Sequence, residues 1–239
     1  MSISELSMIV NDNFDVPLNQ QIRNNRFLPA RIITQTTDWV VERSGWYKII
    51  CVGAGGHSDF NDDYGEPYYS GTGGSGGVAI KTKHFVSGET VLVEINGADC
   101  NCEGISAGGG GDADVNEDPY HGGTGGIATG GDENYPGNAG KYGRMDTPYP
   151  QMLRVEDSVP VSVYIPELSF VNEKYKIEDA DFLFRSEKRT RTLAMSLLGF
   201  GIGQGVWVYE SNNESGKIPA DSDFKDTAAC IIIPLEYTE

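Results

Sequence analysis

Three stretches of this sequence set aromatic side chains among acids and amides. The first, HSDFNDDYGEPYYSG at 57–71, offers Phe60, Tyr64, Tyr68 and Tyr69 beside Asp59, Asn61, Asp62 and Asp63. The second, DADVNEDPYHGG at 112–123, offers Tyr120 and His121 next to acids. The third, GDENYPGNAGKYGRMDTPYP at 131–150, offers Tyr135, Tyr142 and Tyr149. Aromatic faces stack on sugar rings while carboxylates and amides bind hydroxyls, and loops held by a rigid scaffold are where such contacts usually lie. The same residues also suit solvated loops whose tyrosines pack on glycine backbone, and both readings stand on the sequence.

The acids admit a second chemistry. Asp59-x-Asn61-x-Asp63 and Asp112-x-Asp114-x-Asn116 each carry the first three liganding positions of a calcium loop. Neither has glycine at position six or glutamate at position twelve, so neither is an EF-hand. Calcium is the one cofactor the sequence keeps in view; solvation is the commoner fate of acidic loops.

Other chemistries are disfavoured. Gly53-Ala54-Gly55-Gly56 follows a strand pattern, but no amphipathic helix follows it, so the helix N-terminus of a phosphate site is missing. The cluster Gly199 to Gly205 fails likewise. No GxSxG nucleophile elbow is evident, since the G-x-S-x-G spellings at 73–77 and 104–108 lead into no helix pattern; no HExxH motif occurs, and no β-helix repeat of a polysaccharide-degrading spike is evident. The expectation is a protein that is not an enzyme. Cys51, Cys100, Cys102 and Cys230 are too few for a disulfide framework in a chain of 239 residues. Cys100 and Cys102 are awkwardly close for a mutual bridge, and free thiols are the plain reading. His57, His84 and His121 are scattered, with no spacing that indicates zinc.

Glycine divides the chain that must position these residues. Residues 1–33 lack it and read as an attachment or oligomerisation arm, helical or extended. Residues 34–145 form a glycine-rich β domain, and residues 146–239 a β-rich C-terminal region. Strand patterns run through Asp38–Val41, Trp46–Val52, Gly77–Lys83 and Thr90–Ile95, with a turn at Ser87-Gly88-Glu89. The last three are expected to form one antiparallel sheet. Further strands are expected at Val159–Ile165, Asp181–Arg185, Val206–Tyr209 and Ala229–Leu235; Thr190–Leu198 fits either a strand or a short helix. The fold class is therefore mainly β, with antiparallel, sandwich-like sheets.

The glycine runs at 53–56, 71–77, 107–111, 122–126 and 129–131 admit two conformations. They are polyproline II segments packed side by side, or flexible loops. The GG-x-GG spacing and the interleaved Ile105, Ile127 and Ala128 favour order. Collagen is excluded, because the strict triplet and the proline content are absent.

In order along the chain stand GWYKIICVGAGG, GGSGGVAIKT, SGETVLVEING, ISAGGGG and GGTGGIATGG, with a terminal CIIIPLEY strand. This series resembles the glycine-rich domain of bacteriophage tail fibres and receptor-binding tail proteins, over roughly Thr34 to Gly143. The resemblance implies a homotrimeric virion tail component, either a host-surface adhesin, for a glycan or a protein, or a purely structural fibre or baseplate part. Residues 1–33 would then dock it to other tail proteins. The first insert is acidic and aromatic where relatives are nearly pure glycine, and residues 151–227 are longer than the usual end of the domain. The alternative from a different class is a tail-borne polysaccharide hydrolase using paired acids.

The formal net charge is -17 at pH 7, which repels phosphate backbones and anionic membranes, so no nucleic acid and no membrane insertion are expected. The N-terminus lacks the basic and apolar regions of a signal peptide, which fits synthesis in a host cytoplasm and assembly into a virion tail.

Overall fold

A computed structural model describes residues 30–60, 68–114, 121–145, 152–155, 200–203, 206–211, 214–219 and 227–238. The N-terminal arm through residue 29 and the strand patterns at 159–165, 181–185 and 190–198 lie outside the described residues. The described residues are mainly β and contain no helix. Their backbone is dominated by two five-stranded antiparallel sheets. One holds β1 (Arg31–Ile33), β3 (Gly45–Val52), β6 (Val78–Phe85), β11 (Glu133–Tyr135) and β16 (Ala229–Tyr237), in the order β1-β16-β3-β6-β11. The other holds β2 (Thr37–Val40), β7 (Thr90–Asn96), β8 (Asp99–Cys102), β9 (Ile105–Ala107) and β10 (Ala128–Thr129), in the order β10-β9-β8-β7-β2.

The residue patterns account for this division. The runs IICV in β3 and ACIII in β16 are apolar at every position, and both faces of their sheet are buried. One face gives Tyr47, Ile49, Cys51, Cys230 and Ile232 to a core shared with Trp39, Val91, Val93, Ile105 and Ala107 of the second sheet. Trp39 meets the Tyr47 and Phe85 rings edge-on at 5.3 and 5.5 Å. The other face of the first sheet buries Ile50, Val52, Val78, Ile80 and Ile231 with Phe200. β7 instead alternates, with Val91 and Val93 inward and Leu92 and Glu94 outward, as a strand with one solvent face requires.

The single sheet expected of Trp46–Val52, Gly77–Lys83 and Thr90–Ile95 is not formed. β3 pairs with β6, but β7 pairs with β2 and β8 in the facing sheet. The reason is the turn at Val86–Glu89, with Gly88 at φ 86° and a Glu89 N–H to Val86 carbonyl bond of 3.0 Å, which carries the chain across the core from one sheet to the other. Within the second sheet, β8 and β9 are joined by Glu103-Gly104, both at positive φ, the geometry of a two-residue type I′ hairpin. β16, from the end of the sequence, lies between β1 and β3, and its Pro234 falls where the register shifts against β3.

Beyond one end of these sheets lies a layer of glycine segments. The chain leaves β3 through 53–56 and returns to β6 through 72–77. It leaves β9 through 108–111, returns to β10 through 122–126, and leaves β11 through 136–141. These segments bond to one another at every third residue. Gly53 and Gly56 donate to the carbonyls of Gly77 and Gly74, Gly77 and Gly74 to those of Gly108 and Gly111, and these to Ile127 and Thr124, all at 2.7 to 3.0 Å. Thr72 and Ser75 donate to Lys141 and Asn138 and accept from Gly123 and Gly126. A repeat of three belongs neither to a strand nor to an α-helix. Backbones approach so closely that a Cβ on Gly56 would lie 1.9 Å from the Gly111 oxygen, and one on Gly123 1.8 Å from the same atom.

Candidate functional site

The glycine layer ends where the first two inserts and the later part of the third, from Tyr142, begin. A three-stranded sheet stands there, built from β4 (Asp59–Phe60), β5 (Tyr68–Gly71) and β12 (Tyr142–Met145) in the order β12-β5-β4. It unites the first and third inserts: Gly71 opposes Tyr142 on one side and Asp59 on the other. The second insert is tied to the first through His57. The His57 backbone N–H donates to the Asp112 carboxylate at 2.7 Å, and its ring Nδ1 lies 3.1 Å from the same oxygen. The Ala113 N–H donates to the His57 carbonyl at 2.9 Å. Beside this sheet stands another of three strands, β13 (Met152–Val155), β14 (Val206–Ser211) and β15 (Glu214–Pro219).

Of the residues expected to contact a receptor, Phe60 is placed on β4, Tyr68 and Tyr69 on β5, and Tyr142 on β12. Tyr142 is 57% exposed. His121 is also exposed and forms an isolated antiparallel bridge with Asp114. Tyr135 stands apart, on β11, where its ring packs against the second apolar cluster. Its hydroxyl donates to the Glu133 carboxylate, which raises its pKa. Tyr64 and Tyr120 lie outside the described residues.

Among the calcium candidates, Asn61, Asp63 and Asn116 lie outside the described residues. Asp59 sits on β4, Asp112 holds His57, and Asp114 is engaged in the bridge to His121. Among the described residues, the group with metal-holding geometry is a different one: Cys51, Cys100 and Cys230, whose sulfurs all lie within 4.8 Å of one another. All four cysteines are buried and unbridged. Hydrogen bonds from the Cys230 and Cys51 thiols draw the Cys100 pKa down, and donating to Cys100 pushes those of Cys230 and Cys51 up.

The sequence carries a partial signal of this cluster. Cys51 and Cys230 each sit in a wholly apolar run, and Cys100-x-Cys102 sets both thiols on one face of a strand. What spacing cannot supply is that β3 pairs with β16 so as to place Cys51 opposite Cys230. No protein-family model matches the chain, and no curated protein matches it.

Proposed function

We propose that this protein is a non-catalytic, surface-binding component of a bacteriophage tail, which presents its three aromatic-acidic inserts to a host-surface glycan. The observation that carries the reading is the convergence of those inserts, through the β5–β12 pairing and the His57–Asp112 contact, at the end of the glycine layer. Residues far apart in sequence are thereby gathered into one surface, as recognition of an extended ligand requires. The two larger sheets, read as a sandwich, and the glycine segments, read as a polyproline II bundle, form the scaffold. The three-residue repeat of the cross-segment bonds supports the second of these, since polyproline II has three residues per turn and no internal hydrogen bonds. The tail assignment itself rests on the resemblance of residues 34–143 to glycine-rich tail-fibre domains, with residues 1–33 as the docking arm and a homotrimer as the assembly.

The test is a screen of the purified full chain on an array of bacterial surface polysaccharides, beside the variant Tyr142→Ala/His121→Ala. Both residues are exposed, so the variant folds as the parent does. The parent is expected to bind a subset of the glycans and the variant at least tenfold more weakly. Equal binding by both removes these residues from the site. A parent that binds no polysaccharide overturns the glycan reading, and release of reducing ends overturns the non-catalytic one.

A further inference from the structure

The four cysteines are all that the chain contains, and they meet in the core between the two large sheets. Cys51 comes from β3, Cys230 from β16, and Cys100 and Cys102 from successive inward positions of β8. A buried cysteine is ordinarily a small apolar filler. Four of them from three strands, with three sulfurs within 4.8 Å of one another, make an arrangement that apolar filling does not require.

We infer that Cys51, Cys100, Cys102 and Cys230 form a structural site for a single zinc ion, closed off inside the protein. A tetrahedral thiolate site with Zn–S of about 2.3 Å sets its sulfurs roughly 3.8 Å apart. The three mutually close sulfurs, all within 4.8 Å of one another, come near that spacing. Cys102, at the next inward position of the strand that carries Cys100 and buried in the same core, is the fourth ligand. Cys230 thus has two close sulfur neighbours, Cys51 and Cys100, with Cys102 in the same buried cluster. A disulfide joins a sulfur to one partner only, whereas a shared ion joins all four. The donor set is entirely soft sulfur, which selects a thiophilic ion over calcium or magnesium. Each thiol releases its proton as it coordinates, so binding strengthens as pH rises. The ion would fasten the C-terminal strand to both sheets at once.

The full chain is expressed in zinc-supplemented medium, purified without chelator, and assayed for metal by elemental mass spectrometry. One zinc per chain is expected, released in step as an organomercurial titrates the four thiols. Refolding with cobalt(II) in place of zinc should give sulfur-to-cobalt charge-transfer absorption with tetrahedral d–d bands, both lost in Cys100→Ala. Wild-type protein that folds without zinc, and takes up no cobalt on refolding, overturns the inference. So does an intact mass lower by two hydrogens, which marks a disulfide. The wild-type measurements decide the matter even where Cys100→Ala does not fold.

Discussion

The sheet core and the inner segments of the glycine layer, 53–56 and 72–77, are both buried, yet opposite physics holds them. In the core, Ile49, Ile50, Ile231 and Ile232 are almost fully removed from water, and the stabilisation follows apolar area. In the glycine layer, Thr72 to Gly77 is equally buried but has almost no side chain to bury. Its partners are backbone amides and carbonyls of neighbouring segments. Its two buried hydroxyls are satisfied the same way: Ser75 Oγ accepts from the Asn138 N–H at 2.7 Å, and Thr72 Oγ1 from Lys141 at 2.8 Å. The core tolerates a change of side chain if volume is kept. At glycines such as Gly56, Gly74 and Gly123 the layer tolerates no side chain, because the atoms that would have to move are backbone.

That contrast breaks first, if it breaks, at Gly74. A Cβ there would lie 1.9 Å from the Thr124 carbonyl oxygen. Gly74→Ala is expected to destabilise by more than about 4 kcal/mol, beyond ordinary overpacking, as measured by denaturant unfolding. Gly88→Ala is the control, at φ 86° with open space around it, and its cost is about 1–2 kcal/mol for the left-handed backbone alone. Equal effects of the two would show that close packing does not hold the layer. Next in size is Ile231→Ala in the core, expected to cost about 2–5 kcal/mol through lost transfer and a residual cavity. Valine at the same position should recover most of that loss, a rescue with no counterpart at Gly74. Smallest is Ile127→Lys. Ile127 occupies the outward position of a Gly-Gly-x triplet and is 71% exposed, so a change within about 0.5 kcal/mol in either direction is expected. A larger loss would mean that outward positions of the layer carry packing after all.

Much of the sheet core is legible along the chain because strand signals are local. Trp46–Val52 and Thr90–Ile95 fall within β3 and β7, Gly77–Lys83 falls within β6 except for Gly77, and the Ser87-Gly88-Glu89 turn is where the pattern places it. Partnership is not local. Nothing near Thr90 tells that its strand faces the preceding one instead of pairing with it. Nothing in Ala229–Leu235 tells that it separates β1 from β3. The meeting of the four cysteines is hidden for the same reason, since it depends on that insertion. The inserts are conspicuous as composition, but their convergence depends on Tyr142 finding Gly71. Tyr135, equally aromatic in sequence, is drawn instead onto the first sheet by β11.

The first insert leaves and rejoins the scaffold at adjacent points, since the Gly56 N–H bonds to Gly74 and Asp59 opposes Gly71. A loop whose ends are already held together loses little when it lengthens: the entropy of closure grows only logarithmically, by about 0.6 kcal/mol for each doubling. Insertions and deletions between these anchor points are therefore thermodynamically cheap, while a single methyl group a few residues away is not. The molecule confines freedom to diversify to its rim, so the rim can follow a changing target as the frame beneath stays fixed.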